Sequence, residues 1–259
     1  MVTLKYQERF KTDKGVFDEF TKRNLFELQS RDVFEEPLIP IKVGKESNVF
    51  VARKGRKNII IKIYRLQNCD FNRMYDYIRK DPRYDYLKSH KRQIIFAWTQ
   101  REFKNLHKAY AAKINVPKPL NFMQNILIEE MVGKGEPANT LKDQDPKNPK
   151  DFFDQTIVQI KKLYIAGLVH GDLSAFNILN DEEKPILIDF SQSTLTKTPN
   201  CRELLRRDLE NVCNHFKKLG LKNDPQEIYD QMMTDRATRQ KDTETRKLKR
   251  NKSRPVDLV

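Results

Sequence analysis

LVHGDLSAFNILNDEEKPILIDFSQS, residues 168–193, is the stretch around which the rest of the chain is organised. Asn177 opens a short apolar run, Ile178 and Leu179. A polar turn with Pro185 follows, and a second apolar run, 186–188, ends at Asp189. That pattern predicts a β-hairpin. Antiparallel pairing sets the start of one strand beside the end of the other, so Asn177 and Asp189 are expected roughly 5 Å apart. Mg2+ takes oxygen ligands, usually only one or two of them from the protein, and leaves the rest to water and phosphate. An amide beside a carboxylate suits that requirement. Asp172 falls in a tight loop after Val169, displaced from the pair, where a base can receive the proton of an attacking hydroxyl. An ordinary surface hairpin explains Asp181, Glu182 and Glu183 as turn acids, and leaves Asp172 and Asp189 unexplained.

A second pair of charges lies upstream. Lys62 interrupts the apolar strand IIIKIYR, residues 59–65, on the face shared by Ile60 and Tyr64. A sheltered ammonium there needs an anion. From Gln93 onward Ile95, Trp98, Glu102, Leu106 and Ala109 recur at helical steps, which puts Glu102 inside an apolar stripe. A carboxylate in that position needs a cation, and Lys62 is the candidate. The bland readings are an edge-strand lysine and a glutamate reaching water from the stripe's margin.

The remaining elements follow from the same patterns. Phe17, Phe20 and Leu28 suggest a helix within a charged N-terminal extension, 1–36. Ile39, Ile41 and Val43 begin a three-stranded meander that turns at 44–48 and 54–58 and ends at Tyr64. Residues 65–92 read as a flexible, partly helical insertion with accessible tyrosines and an accessible Ser89. Residues 120–123 and 126–128 form another hairpin around Asn125. A Pro-rich charged linker, 135–150, leads to a helix that Asp151 can cap and Gly167 ends. Leu205, Leu209, Val212, Phe216 and Leu219 make a last long helical stripe, with Cys213 and His215 as packing residues, and a shorter helix is expected over 225–233. The units are thus a first lobe over 37–133, a linker and second lobe over 134–235, and a basic tail over 236–259.

Fifty Lys and Arg against 36 Asp and Glu give a net charge of +14, which suits an acidic partner such as RNA. Nine of those cations lie between positions 236 and 254, opposed only by Asp242 and Glu244, so the tail is expected to be disordered or to fold on a partner. Three cysteines at irregular spacing argue against a disulfide framework and for a reducing, cytoplasmic compartment. No apolar run approaches the roughly 18 residues of a membrane helix, so a soluble protein is expected.

Together GKESNVF at 44–50, IKIYR at 61–65, WTQREFKNL at 98–106, HGDLSAFNIL at 170–179 and LIDFSQS at 187–193 resemble the RIO family of atypical serine/threonine kinases. GKES fits its type 1 subfamily, and the short N-terminal extension leaves no room for the winged helix of type 2. The resemblance implies an α+β, bilobal protein-kinase-like fold with an antiparallel N-lobe sheet and a reduced helical C-lobe. It implies ATP with Mg2+ or Mn2+, Asp172 as proton acceptor, Asn177 and Asp189 as metal ligands, and Lys62, oriented by Glu102, on the phosphates. By the same likeness Lys45, Glu46, Ser47, Asn48, Val49, Ile60, Leu179 and Ile188 belong to the nucleotide site, with the Glu130 carbonyl and Val132 N–H reading adenine. In such kinases Asp189 is also proposed to accept phosphate, an ATPase-like switch in small-subunit maturation, with pre-ribosomal RNA and proteins as partners. His-Gly-Asp and Asp-Phe-Ser replace the usual His-Arg-Asp and Asp-Phe-Gly, and Glu129 stands where an apolar residue is usual. Antibiotic and choline kinases carry similar His-Gly-Asp and Ile-Asp-Phe motifs, which keeps small-molecule phosphotransfer as an alternative.

Overall fold

The computed structural model describes residues 17–67 and 69–235; the expectations for residues 1–16 and for the tail 236–259 lie outside them. Helix α1 (Glu19–Ser30) is started by Asp18, whose side chain accepts the Thr21 N–H at 2.8 Å. Strands β1 (Glu35–Val43), β2 (Ser47–Lys54), β3 (Lys57–Tyr64), β4 (Pro119–Met123) and β5 (Ile126–Glu130) form one antiparallel sheet in the order β1-β2-β3-β5-β4. Lys62 therefore sits on the central strand, which removes the edge-strand reading. Period-two alternation sorts the sheet's faces. Ile59, Ile61 and Ile63 join Phe50, Ile126 and Ile128 in a core closed by Leu25 and Leu28 of α1. Ile60, Lys62 and Glu129 point the other way, into a cleft.

The insertion 65–92 is partly helical as expected, but one of its tyrosines, Tyr84, is buried rather than accessible. It folds into helix α2 (Phe71–Ile78) and a 3-10 turn (Pro82–Tyr84), both packed on α3 (Lys91–Ala111). Phe71, Met74 and Ile78 recur at steps of three and four, so even this short polar stretch has an apolar face. Met74, Ile78 and Tyr84 join Ile94, Ile95 and Trp98 in a separate core. Tyr84 is buried, whereas Tyr86 and Ser89 are exposed. Asp81 is also buried, and ion pairs to Arg83 and Arg101 replace the water it loses.

The second lobe is built on α4 (Pro149–Ile165) and α5 (Cys201–Lys218), followed by a helix over 225–235. Asn148, not Asp151, caps α4: its side chain accepts the Asp151 N–H, and Pro149 occupies the first turn, where a missing N–H costs nothing. Phe153, Ile160 and Tyr164 meet Leu205, Leu209 and Phe216 in the core. Two small ladders stand against these helices: β6 (Leu168–Val169) with β9 (Thr194–Leu195), and β7 (Ile178–Asp181) with β8 (Lys184–Leu187). The β7–β8 turn is Glu182-Glu183, both at positive φ (50° and 66°), and Pro185 lies inside β8 opposite Asn180. A two-residue turn of that kind matches strand twist, and the register it sets pairs Ile178 with Leu187.

Candidate active site

The ladder's register decides where the chemistry falls. Asn177 and Ile188 stand one step beyond the Ile178–Leu187 pair, joined by the Ile188 N–H to the Asn177 carbonyl at 3.0 Å. Asp189 follows at once in a left-handed conformation, φ 63°, which turns the chain into a 3-10 turn at Phe190–Gln192. Both Asn177 and Asp189 line a cavity of about 600 Å3 between the lobes, shared with Ser47, Ile60, Lys62 and Glu102. That volume is in the range of small-molecule sites.

Lys62 is the hub. Its Nζ lies 2.8 Å from Glu102 Oε1 and 3.0 Å from Asp189 Oδ1. Tyr64 Oη donates to the other Glu102 oxygen. Burial opposes the ammonium's charge, but Asp189 and Glu102 outweigh it and hold Lys62 well above the ordinary lysine range. Burial likewise opposes ionisation of Asp189, yet Lys62 and the Ser191 hydroxyl, 2.6 Å away, keep it well below the usual carboxylate range. Asp189 is thus a carboxylate at any physiological pH. Asn177 Nδ2 donates to the Asp172 carbonyl at 2.8 Å, which leaves Oδ1 without a hydrogen-bond partner among the described residues. Among the described residues no group of three or more His, Cys, Asp or Glu gathers to hold a metal. One carboxylate and one free amide oxygen fit Mg2+, which asks the protein for little more.

Asp172 sits beside this cavity rather than in its wall. Gln192 Nε2 donates to its Oδ2 at 2.8 Å. Burial and then Asp189 raise its pKa, while Arg207 and Arg73 pull it down. The loop that carries it hangs on Asp208 of α5, a buried carboxylate whose two oxygens each accept one backbone N–H, from Gly171 and Leu173, at 2.8 Å. The buried, neutral His170 fixes the other side: Nε2–H donates to Ile188 O at 3.0 Å, and burial lowers its pKa to about 4. From α3, Arg101 Nη1 donates to Ser191 O at 2.7 Å and Asn105 Nδ2 to Ser193 O at 2.8 Å. Asp208, Arg101, Asn105 and Gln192 were not singled out from the sequence. Asp208 shares the apolar stripe of Leu205, Leu209 and Val212, the same signal that marks Glu102.

The structure also sorts the expected nucleotide-site residues. Glu46, Ser47, Val49, Ile60, Glu130, Val132, Leu179 and Ile188 all line the cavity. Lys45 and Asn48 do not. Lys45 is exposed at the tip of the turn, and Asn48 alternates to the opposite face from Ser47 and Val49, where Arg65 Nη2 meets its Oδ1 at 3.2 Å. Pro117, Met131 and Phe176 also line the wall.

Gly171 accounts for the missing arginine of the loop. Its φ is +79°, and a Cβ there would meet Gln192 O at 2.9 Å. Gly171→Ala is therefore expected to destabilise the fold by about 1–3 kcal/mol, read from urea unfolding; an unchanged midpoint refutes the constraint. Glu129 gives a pH signature. Burial first, then Glu102 and Asp189, push its carboxyl up to about 8 against the opposing Lys62. Between its unfolded value and pH 8 the folded chain holds a proton that the unfolded chain has lost, so stability falls as pH rises through that window. Glu129→Gln removes the titration. Its unfolding free energy, read from urea unfolding at each pH, is expected to match wild type near pH 4.5 and exceed it increasingly toward pH 8, by on the order of 1 kcal/mol.

A family model described as "RIO domain" matches residues 48–228. The chain is 41% identical to the RIO-type serine/threonine-protein kinase Rio1 of Methanocaldococcus jannaschii, over 87% of this chain and 78% of the relative. It is 36% identical to the Haloferax volcanii Rio1, over 88% and 79%. Among solved structures, the Rio2 kinase-ADP/Mg2+-phosphoaspartate complex from Chaetomium thermophilum superposes with a TM-score of 0.62 at 22% identity. That likeness covers 80% of this chain and 63% of the other, and it speaks for the fold alone. With the site's residues in place and relatives of that kind over most of its length, the chain belongs to the RIO family of serine/threonine-protein kinases, in its type 1 branch.

Proposed function

We propose that this protein transfers the γ-phosphoryl group of ATP to a serine hydroxyl, its own Ser89 included, and does so with Mg2+. The observation that carries the reading is the Lys62 ammonium bonded to both Glu102 and Asp189 in a cavity that also holds Asn177. A lysine so fixed is a ready partner for the α and β phosphates. Val49, Ile60, Leu179 and Ile188 supply apolar walls for a purine, and Glu130 C=O with Val132 N–H supplies its polar edge. Asn177 and Asp189 would hold Mg2+, which, when bound, neutralises charge on the phosphate oxygens. Asp172 accepts the serine proton as the hydroxyl attacks. The chain contributes position and charge rather than covalent chemistry. Ser89, exposed on the insertion that packs against α3, is the accessible acceptor.

The Rio2 complex with ADP, Mg2+ and phosphoaspartate supports a second acceptor, the ionised Asp189. A phosphoaspartate hydrolyses readily and would make the protein an ATPase-type switch in small ribosomal subunit maturation. The net charge of +14 supports an RNA partner in that role, whose affinity should fall steeply with salt and drop on deletion of 236–259. Incubating the pure protein with labelled ATP and Mg2+, then separating acid-stable from acid-labile phosphoprotein and free phosphate, tests both routes. Ser89→Ala is expected to diminish the acid-stable fraction. Absence of all three products overturns the reading.

A further inference from the structure

The kinase reading leaves the Glu129 carboxyl in the cavity without a task. Strand β5 alternates, so Ile126 and Ile128 fill the core while Glu129 faces the cleft. Glu129 pairs with Ile60 across the sheet and stands immediately before Glu130 and Val132, at the base end of the cavity. Lys62 is already committed to Glu102 and Asp189. The partly buried Glu129 carboxyl makes no ion pair and no hydrogen bond with any described residue. A sheltered carboxyl without a partner is costly unless something entering the cavity supplies one.

We propose that Glu129 reads the base: a carboxyl oxygen accepts an N–H from the exocyclic 6-amino group of adenine, a contact an apolar residue at this position cannot make. The acceptor is present in either protonation state, because a protonated carboxyl keeps its carbonyl oxygen. The strand places it beside the backbone groups that read the same edge, so the amino group's two hydrogens have two acceptors, Glu130 C=O and Glu129. This inference rests on the ATP reading above.

The test is a cycle between nucleotide and side chain. Dissociation constants in Mg2+ are measured for ATP and for purine riboside triphosphate, in which hydrogen replaces the 6-amino group, with wild type, Glu129→Gln and Glu129→Met. Loss of the amino group is expected to weaken binding to wild type about tenfold more than to Glu129→Met. Glu129→Gln, which keeps a carbonyl oxygen, is expected to follow wild type. Equal penalties in wild type and Glu129→Met, with ATP still bound, overturn the inference alone, as does Glu129→Gln behaving like Glu129→Met. Failure of wild type to bind ATP at all overturns the kinase reading and this inference together.

Discussion

Asp172→Asn is expected to lower phosphoryl transfer by about a thousandfold while ATP binds nearly as before. The expectation follows from where the side chain stands. Asp172 lies outside the cavity wall, so it contributes little to holding the nucleotide. Its Oδ2 is fixed by Gln192 at 2.8 Å, and an asparagine can keep that bond through its own oxygen. The backbone carbonyl that accepts from Asn177 Nδ2 is untouched. What asparagine removes is the capacity to take a proton. Single-turnover transfer from labelled ATP should therefore collapse, while the dissociation constant measured by titration stays close to wild type. Because burial and Asp189 raise the Asp172 pKa, wild-type transfer should also fall as pH drops toward the acid range, from a point above the ordinary aspartate value. Near wild-type turnover by the variant would show that another group takes the proton.

How much of this was legible before the coordinates depended on how the signal is carried along the chain. Lys62 and Glu102 could be paired from sequence because each breaks an apolar pattern, and buried charges must find each other. The β7–β8 hairpin was legible from its two apolar runs, although the turn lies at Glu182-Glu183 and Pro185 falls in the strand. Asp208 was available by the argument used for Glu102, since it too falls in an apolar stripe. Arg101 and Asn105 were not legible. Their partners in the metal loop are backbone carbonyls at Ser191 and Ser193, far along the chain, and a carbonyl has no sequence identity. The insertion misled for a related reason. Its charges look solvated in composition, but Asp81 and Arg101 satisfy each other inside the fold, and Met74, Ile78 and Tyr84 are enough to make a core with α3. Lys45 shows the reverse error, a loop cation whose side chain points to solvent.

Lys62→Met is expected to cost both stability and transfer, and the two losses can be separated. Removing the ammonium leaves Glu102, only 2% exposed, with Tyr64 Oη as its remaining donor, and leaves Asp189 to Ser191. Breaking a buried pair by deleting one partner costs about 3–5 kcal/mol, because the other charge stays behind. In a chain of this size that corresponds to a melting temperature lower by about 10 °C. Adding Glu102→Gln removes the stranded charge, so the double variant should regain much of the stability. It should not regain transfer, because the ammonium proposed to meet the α and β phosphates is gone; a loss of about a hundredfold or more is expected in both variants. The sign of the double-variant effect is what discriminates. If Glu102→Gln lowers stability further on the Lys62→Met background, Glu102 has another partner holding it, and the ion pair is not what organises the cleft. If Lys62→Met keeps its melting temperature but loses transfer, the pair serves the nucleotide alone and contributes nothing to the fold.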